Sequence, residues 1–222
     1  MSKILGVLGG MGPAATLDFL AKLQAATPAV RDQDHIRVLV DINPQVPDRN
    51  EGDDAPGPVL AAMAVGLRNG GAQVLAIACN TAHAYADAVQ SASGLPLIDL
   101  IETAAQAAKA TGATKAGVLA TGLAIGLYRD RLAEQGIEAL ILDTESQAEF
   151  MGLLYRIKAG DRSQAVQDQM SNLADRLVVA GARAVIAGCT EVPLVLEARD
   201  LDVPFIDAGA VLAKRCVEVC SA

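Results

Sequence analysis

Short apolar runs alternate along the chain with longer stretches in which apolar residues recur at helical spacing. Runs of the first kind predict strands, and stretches of the second kind predict amphipathic helices. Because strand and helix alternate, the pattern predicts βαβ units and parallel sheets that are buried on both faces. In chain order the stretches are KILGVLG, PAATLDFLAKLQAA, HIRVLVDI, PGPVLAAMAVGLRNGG, AQVLAIAC, TAHAYADAVQSA, ATKAGVLAT, AIGLYRDRLAEQG, IEALILD, two helical stretches near 145–159 and 162–180, and ARAVIAGC.

The second half of the chain repeats landmarks of the first half. GVLGGMG near the start resembles AGVLATG in the middle. The number of residues from Leu8 to Cys79 nearly equals the number from Leu119 to Cys189. A Pro-x-Ile-Asp segment follows each of these two cysteines at similar spacing. Since the landmarks recur in one order, we interpret the chain as a duplication of one α/β unit.

The duplication predicts two pseudo-symmetric Rossmann-like domains with mainly parallel sheets. The first domain is expected to comprise residues 1–99 plus 208–222, and the second residues 100–207. Two such units bind ligands in the crevice outside the carboxyl ends of their strands. Each cysteine directly follows a predicted strand, so we expect Cys79 and Cys189 to face one another across a cleft that holds the active site.

Composition and charge narrow the class of protein. The chain has 222 residues, of which 52% are apolar and 3% aromatic, which favours packed α/β layers over an all-β architecture. A formal net charge of −8 disfavours nucleic acid and anionic membranes as partners and leaves a small molecule as the expected ligand. No signal peptide or membrane span is recognisable, so we expect a cytoplasmic protein with reduced cysteines.

Several roles are open for the cysteines. Neither Cys79 nor Cys189 lies in a CxxC or HxxxH pattern and the chain has only two histidines, so no metal site is expected. Cys216 and Cys220 are interpreted as small core residues of a C-terminal helix. Burial as a small apolar residue is the alternative for the first pair as well.

Reactivity is favoured for Cys79 and Cys189 when they are considered as a matched pair. Each is followed by polar residues and then by a predicted helix, whose amino-terminal dipole lowers the pKa of a thiol. Two opposed thiols suit proton transfer at a stereocentre, in which one thiolate removes the α proton and the other thiol delivers a proton to the opposite face. His83 either tunes the first thiol or satisfies the helix surface.

Three further segments supply candidate binding groups. GVLGGMGPAAT joins a predicted strand to a helix and can hold an anion on backbone amides, with Gly10 and Met11 as the candidates; it does not match a dinucleotide fingerprint. Residues 43–58 form a proline-rich loop in which Arg49 can offer a fork to a carboxylate. Lys158 closes a predicted helix.

The motifs GVLGGMGPAAT, DQDHIRVLVDINPQVPDRN, AIACNTAHAY, YRIKAGD and AGCTEV, in this order, resemble the cofactor-independent aspartate/glutamate racemase family and specifically its aspartate racemase branch. The resemblance covers essentially the whole chain. It implies an amino-acid racemase that needs no cofactor or metal, acts on a small amino acid with a carboxylate side chain, and forms a homodimer.

The resemblance also implies roles for individual residues. Cys79 and Cys189 match the two acid/base thiols, and Asn80 and Thr81 match residues that hold the α-carboxylate and amino group. Arg49 and Lys158 match the basic pair near the carboxylates of the substrate. Thr190, beside the second thiol, and Thr121 complete the expected substrate-binding set.

The chain departs from the family pattern in one loop. Relatives usually read like LATxGTxxSGxY, whereas this chain reads LATGLAIGLY, which is shorter and keeps Thr121 but lacks the second threonine and the serine. The alternatives to an aspartate or glutamate racemase are a related isomerase, such as a maleate cis-trans isomerase or a hydantoin racemase, and a catalytically silent amino-acid-binding protein.

Overall fold

The computed structural model describes residues 2–51 and 54–221, so Gly52 and Asp53 of the predicted loop and both terminal residues of the predicted first domain lie outside the described part. The strands are β1 Leu5–Gly9, β2 Val38–Ile42, β3 Val74–Ile77, β4 Leu97–Ile98, β5 Lys115–Ala120, β6 Glu138–Leu140, β7 Ala184–Gly188 and β8 Phe205–Asp207. The α-helices are α1 Pro13–Ala26, α2 Pro56–Asn69, α3 Ala86–Ser93, α4 Leu100–Ala110, α5 Gly122–Glu134, α6 Thr144–Lys158, α7 Gln164–Val179 and α8 Ala208–Ser221.

The chain divides into two compact units, each built on a four-stranded sheet. The first unit includes the described residues up to Leu100 and from Gly209 onward, and the second spans Ile101–Ala208. The strand orders are β2-β1-β3-β4 and β6-β5-β7-β8, and every pairing is parallel. The predicted α/β class with parallel sheets is confirmed.

The inner strands are buried along their whole length because helices cover both faces of a parallel sheet. Every residue of β1, β3 and β7 is buried, and β5 is buried from Ala116 onward, whereas the edge strands β2 and β6 are partly exposed. The apolar runs of the inner strands carry no polar alternation for the same reason. Polar side chains therefore gather beyond the strand ends.

A separate cluster of buried residues forms the core of each unit. In the first unit, Leu8, Leu60, Leu75 and Ile77 are among the residues that pack together. The core of the second unit is built around the inner strands and helices α6 and α7. Each core includes the cysteine that follows the third strand of its sheet, Cys79 in the first unit and Cys189 in the second.

Glycine lets α7 approach β5 closely, since a Cβ atom at Gly117 of β5 would lie 2.8 Å from Leu177 Cβ on α7. A Cβ atom at the equivalent Gly6 of β1 would lie 2.9 Å from Ala72 Cβ, just before β3. Cβ atoms essentially never come so close to other side chains, so both positions favour glycine.

Two predicted boundaries are corrected. The predicted loop 43–58 ends earlier, because α2 begins at Pro56, where proline fits the first turn of a helix without losing a hydrogen bond. The predicted helix directly after Cys79 begins as a 3-10 turn over Thr81–Tyr85 and becomes α-helical only at Ala86. None of the helices in the described part of the chain is long and apolar enough to cross a membrane.

We expect Gly117→Ala to lower the free energy of unfolding by about 1–3 kcal/mol, because the added methyl group overpacks the contact between β5 and α7. Gly126→Ala is the matched control, since Gly126 lies exposed on α5 with open space around it, and its replacement should be neutral or stabilise by up to about 1 kcal/mol. Both positions lie in the second unit, so urea denaturation followed by circular dichroism compares the same transition. Equal midpoints for the two variants would contradict the close packing.

Candidate functional site

The loop between β1 and α1 is held in a fixed shape by its own hydrogen bonds. Thr16 Oγ1 accepts a hydrogen bond from the backbone N–H of Gly10 at 2.9 Å and donates one to the carbonyl of Gly12 at 2.9 Å. Gly10 has φ of 95°, and a Cβ atom there would lie 2.6 Å from Asn43 O. The loop is therefore rigid and ends at Pro13, which starts α1 as predicted. The side chain of Met11 belongs to the buried cluster that contains Cys79.

Cys79 lies just beyond the carboxyl end of β3, and 4% of it is exposed. The preceding residue, Ala78, donates its backbone N–H to the carbonyl of Leu8 at the end of β1. Asn80 and Thr81 follow in the 3-10 turn and are also buried. The strand pairing thus fixes the position of the thiol, with an amide and a hydroxyl next to it in the chain.

His83 holds the backbone of the Cys79 turn. Its Nε2 accepts the backbone N–H of Leu100 at 3.1 Å, so Nε2 carries no proton and Nδ1 donates to the carbonyl of Cys79 at 2.9 Å. Burial lowers the pKa of His83, although the charge of Asp99 and the backbone bonds act in the opposite direction. The interpretation of His83 as a helix-surface residue is therefore wrong: the ring is buried, neutral and bonded to the backbone of the cysteine.

Arg49 is buried, which is unusual for an arginine in a loop. Its Nη1 donates to the carbonyls of Val46 and Pro47 at 3.3 and 3.0 Å, and its buried Nε has no hydrogen-bond partner among the described residues. A buried guanidinium whose donors are only partly used is suited to bind a carboxylate. The predicted loop therefore has a physical role, since it places this buried guanidinium within the first unit.

In the second unit, Thr121 occupies the position after β5 that the Gly10 loop occupies after β1. Thr121 is buried and is the residue before α5, where its carbonyl accepts the backbone N–H of Ile125 at 2.9 Å. Gln147 of α6 reaches the same turn, because its Nε2 donates to the carbonyl of Ala120 at 2.9 Å. The Oε1 atom of Gln147 is buried and has no hydrogen-bond partner in the described part of the chain.

Cys189 follows β7 directly, and 7% of it is exposed. Its Sγ donates a hydrogen bond to Glu191 Oε2 at 3.0 Å, and the hydroxyl of Thr190 donates to the same oxygen at 3.4 Å. Glu191 is 2% exposed, so a carboxylate and a thiol share a buried space.

The electrostatic expectation for Cys189 is wrong in direction. We expect from the sequence that a following helix lowers its pKa, but the turn after it is only the three-residue 3-10 segment Val192–Leu194. Burial, followed by the negative charge of Glu191, raises the pKa of Cys189 well above its ordinary value, while Lys158 lowers it. A short turn offers few aligned dipoles, and they do not compensate for a nearby carboxylate.

Each unit brings together its own group of predicted site residues. The first unit places Cys79, Asn80 and Thr81 on one turn beyond β3, and the second joins Cys189 with Thr190 and brings Lys158 within electrostatic reach. Cys216 and Cys220 are buried on α8, as the core interpretation predicts. Among the described residues, no group of three or more His, Cys, Asp and Glu side chains is placed to hold a metal ion.

Two polar residues at these strand ends, Glu191 and Gln147, are not among the site residues predicted from the sequence. Glu191 carries a signal, because it is an acidic residue in the polar segment that directly follows Cys189. Gln147 carries none, since one glutamine in an amphipathic helix looks like any solvated position.

The chain is similar to a known protein family and to individual relatives. A model of the Asp/Glu/Hydantoin racemase family matches residues 8–216 of the chain. The broad specificity amino-acid racemase RacX of Bacillus subtilis (strain 168) is 30% identical to the chain, over 96% of the length of each protein.

Solved structures share the fold. The aspartate racemase of Picrophilus torridus matches with a TM-score of 0.87 and 25% sequence identity, covering 99% of this chain and 94% of that one. The glutamate racemase of Francisella tularensis in complex with D-glutamate matches with a TM-score of 0.74 and 22% identity, covering 98% of this chain and 81% of that one. This second match shows that the two proteins share a fold.

We expect His83→Gln to lower the free energy of unfolding at neutral pH by about 1–3 kcal/mol, because a buried backbone donor or acceptor loses its partner. A histidine in the unfolded chain titrates near about pH 6.5, and the pKa of His83 in the folded chain is lower, so the unfolded chain binds more protons below that pH. The contribution of His83 is therefore fully present above this range and is lost as the pH falls.

Denaturation curves across the acidic range measure this effect as the difference between the wild type and the variant, which should shrink toward low pH. His35→Gln, which removes the other histidine of the chain, is the control for the substitution itself. A wild-type slope in His83→Gln would mean that His83 is not buried as a neutral ring.

Proposed function

The chain belongs to the Asp/Glu/hydantoin racemase family, and we propose that it is a racemase of acidic amino acids, aspartate before glutamate, that transfers the α proton between Cys79 and Cys189. The observation that carries the proposal is the equivalent placement of these cysteines. Each lies at the carboxyl end of the third strand of its sheet, β3 or β7, in sheets of the same strand order. Each is buried and is followed by hydrogen-bonding residues.

The chemistry needs one thiolate and one thiol on opposite faces of the α carbon. The thiolate takes the α proton, the electron pair stays on the α carbon, and the opposite thiol delivers its own proton there, which inverts the centre. Asn80 and Thr81 beside the first thiol, and Thr190 beside the second, supply polar groups for the amino group and for the α-carboxylate, over which the negative charge of the α carbon spreads. Burial strengthens these contacts because little water competes for them.

Arg49 and Lys158 support an acidic substrate. Arg49 is the buried cation of the first unit, and Lys158 acts electrostatically on Cys189 in the second. A substrate with two carboxylates offers a partner to both cations, whereas a neutral amino acid offers one carboxylate only. The Francisella tularensis glutamate racemase, which shares the fold, is solved with D-glutamate, an amino acid of this class.

A broader substrate range is the second candidate. RacX, a relative that matches over 96% of the chain, is named as a broad specificity amino-acid racemase. The loop after Thr121 favours the same reading, because its helix begins with Gly122 and the partly exposed Leu123 in place of hydroxyl residues. Rates of α-proton exchange for aspartate, glutamate, alanine and leucine in deuterated water distinguish the two candidates. A racemase of acidic amino acids acts on aspartate and glutamate alone, and a broad specificity racemase acts on all four.

We expect Cys79→Ser and Cys189→Ser each to slow the interconversion of L- and D-aspartate by about 100-fold or more, since each removes one of the two proton-transfer groups. Circular dichroism measures racemisation, and NMR in deuterated water measures α-proton exchange, which we expect each variant to retain from one enantiomer only. Cys216→Ala is the control, since Cys216 is a buried cysteine on α8 and its removal should leave the rate of folded protein unchanged.

Three outcomes would contradict the two-thiol racemase. Wild-type rates in both serine variants would exclude the mechanism. A covalent substrate adduct on either cysteine, detected by mass spectrometry with maleate, would indicate a related isomerase. Calorimetric binding of aspartate without α-proton exchange would indicate a catalytically silent binding protein.

We expect Arg49→Lys to lower kcat/KM for aspartate by about 10- to 100-fold, mainly through KM, because lysine cannot form the paired hydrogen bonds of a guanidinium to a carboxylate. Arg68→Lys is the control, since Arg68 is an exposed arginine of α2 in the same unit. Steady-state kinetics together with thermal melting separates a binding defect from a folding defect. An unchanged KM in Arg49→Lys would remove Arg49 from the substrate site.

A further inference from the structure

The thiol of Cys189 has a charged partner at hydrogen-bond distance. Its Sγ lies 3.0 Å from Glu191 Oε2, and both residues are buried in the turn that follows β7. A carboxylate oxygen accepts hydrogen bonds, so the contact exists only while the thiol carries its proton. The hydroxyl of Thr190 donates to the same oxygen and helps to hold it beside the sulfur.

The charges around Cys189 favour the same protonation state. Burial and the carboxylate of Glu191 both raise the pKa of the thiol. The backbone hydrogen bond of Glu191 and the charge of Lys158 lower it by less, and Lys158 is an exposed residue at the end of α6. An exposed cation is screened by water more strongly than a buried carboxylate in contact. The proton therefore stays on the sulfur.

The corresponding contact in the first unit is of a different kind. There the neutral ring of His83 binds the backbone carbonyl of Cys79. His83 thus holds the position of the first cysteine, whereas Glu191 acts directly on the proton of the second.

We propose that Glu191 is a positioning residue that keeps the proton on Cys189 while the enzyme awaits its substrate. Cys189 is then the proton donor and Cys79 the acceptor in the turnover that starts from this state. This inference rests on the proposed function, and it assigns different roles to the two thiols.

The proton balance of one turnover shows what Glu191 does. The α C–H bond breaks as the Cys79 thiolate takes the proton, and the α carbon then takes the proton of Cys189, whose S–H electrons remain on Sγ. The product state has a thiolate next to the carboxylate of Glu191, two negative charges that repel each other in a buried place. Return of a proton to Cys189 and loss of one from Cys79, both exchanged with water, restores the starting state.

A one-sided resting state has a kinetic signature at high substrate concentration only. The two enantiomers are equally stable, so kcat/KM must be equal for them whatever the resting state. Under saturation, the first turnover differs between the two enantiomers. An enantiomer is converted at once only if the resting enzyme has its thiolate on the side of that enantiomer's α proton. One enantiomer should therefore give a burst of nearly one product per active site, and the other a small burst.

The test measures the proton on Cys189 directly. Ultraviolet thiolate absorbance is followed against pH in the wild-type protein and in Glu191→Gln, each corrected by subtracting the same chain with Cys189→Ser. We expect the midpoint for Cys189 in Glu191→Gln to fall by about one pH unit or more, which is about a tenfold larger thiolate population at a given pH below the midpoint. Glu197→Gln, which neutralises an exposed carboxylate further along the same segment, should leave the midpoint unchanged.

An unchanged midpoint in Glu191→Gln overturns the inference. If that variant does not fold, Glu191→Asp takes its place: it keeps the charge but draws it back from the sulfur, and its midpoint should fall by less than one unit yet measurably. A midpoint in Glu191→Asp equal to that of the wild type then overturns the inference.

The burst amplitudes provide the second measurement. In Glu191→Gln the two enantiomers should give more nearly equal bursts than in the wild type, and equal bursts in the wild type itself would contradict the assignment of roles. The two proposals fail separately. A shifted midpoint in a chain that racemises no amino acid would contradict the proposed function, and with it the roles of the two thiols in turnover, but not the effect of Glu191 on the proton of Cys189. Racemisation with an unshifted midpoint would contradict the role of Glu191 alone.

Discussion

Burial of the inner strands on both faces is the constraint on which the rest of the structure depends. β1 and β3 in one unit, and β5 and β7 in the other, have helices on either side, so their side chains fill the two cores. Polar chemistry has no place along such strands and is confined to the turns beyond their ends. Cys79 and Cys189, their polar neighbours and the glycine loop therefore belong to segments of a few residues whose backbone the sheets hold in position.

The same constraint explains how much of the fold can be predicted from the sequence. Continuous apolar runs identify the inner strands, and helical periodicity identifies the helices that cover them; the stretches expected near 145–159 and 162–180 correspond to α6 and α7. The cysteines stand out because they end such runs twice at matching places. Local patterns of this kind arise from burial, which acts on every residue of an element.

What the sequence does not reveal depends on single contacts. The 3-10 turn after Cys79, the bond from Gln147 to the end of β5 and the carboxylate against the Cys189 thiol each involve one side chain and leave no periodic trace. The electrostatics of Cys189 illustrates the consequence. A general rule about helix termini predicts a lowered pKa, but burial of the thiol, together with one neighbouring glutamate two residues away in the chain, raises it instead.

The unlike surroundings of the two cysteines also bear on why one chain carries both units. A symmetric assembly of two copies of either half would contain two identical cysteine turns, both with a histidine on the carbonyl or both with a glutamate on the thiol. Identical turns bind protons equally, and no difference between them can be selected by mutation without changing both. Joining the halves in one polypeptide releases them from that identity, so the covalent link allows a division of labour that symmetry forbids.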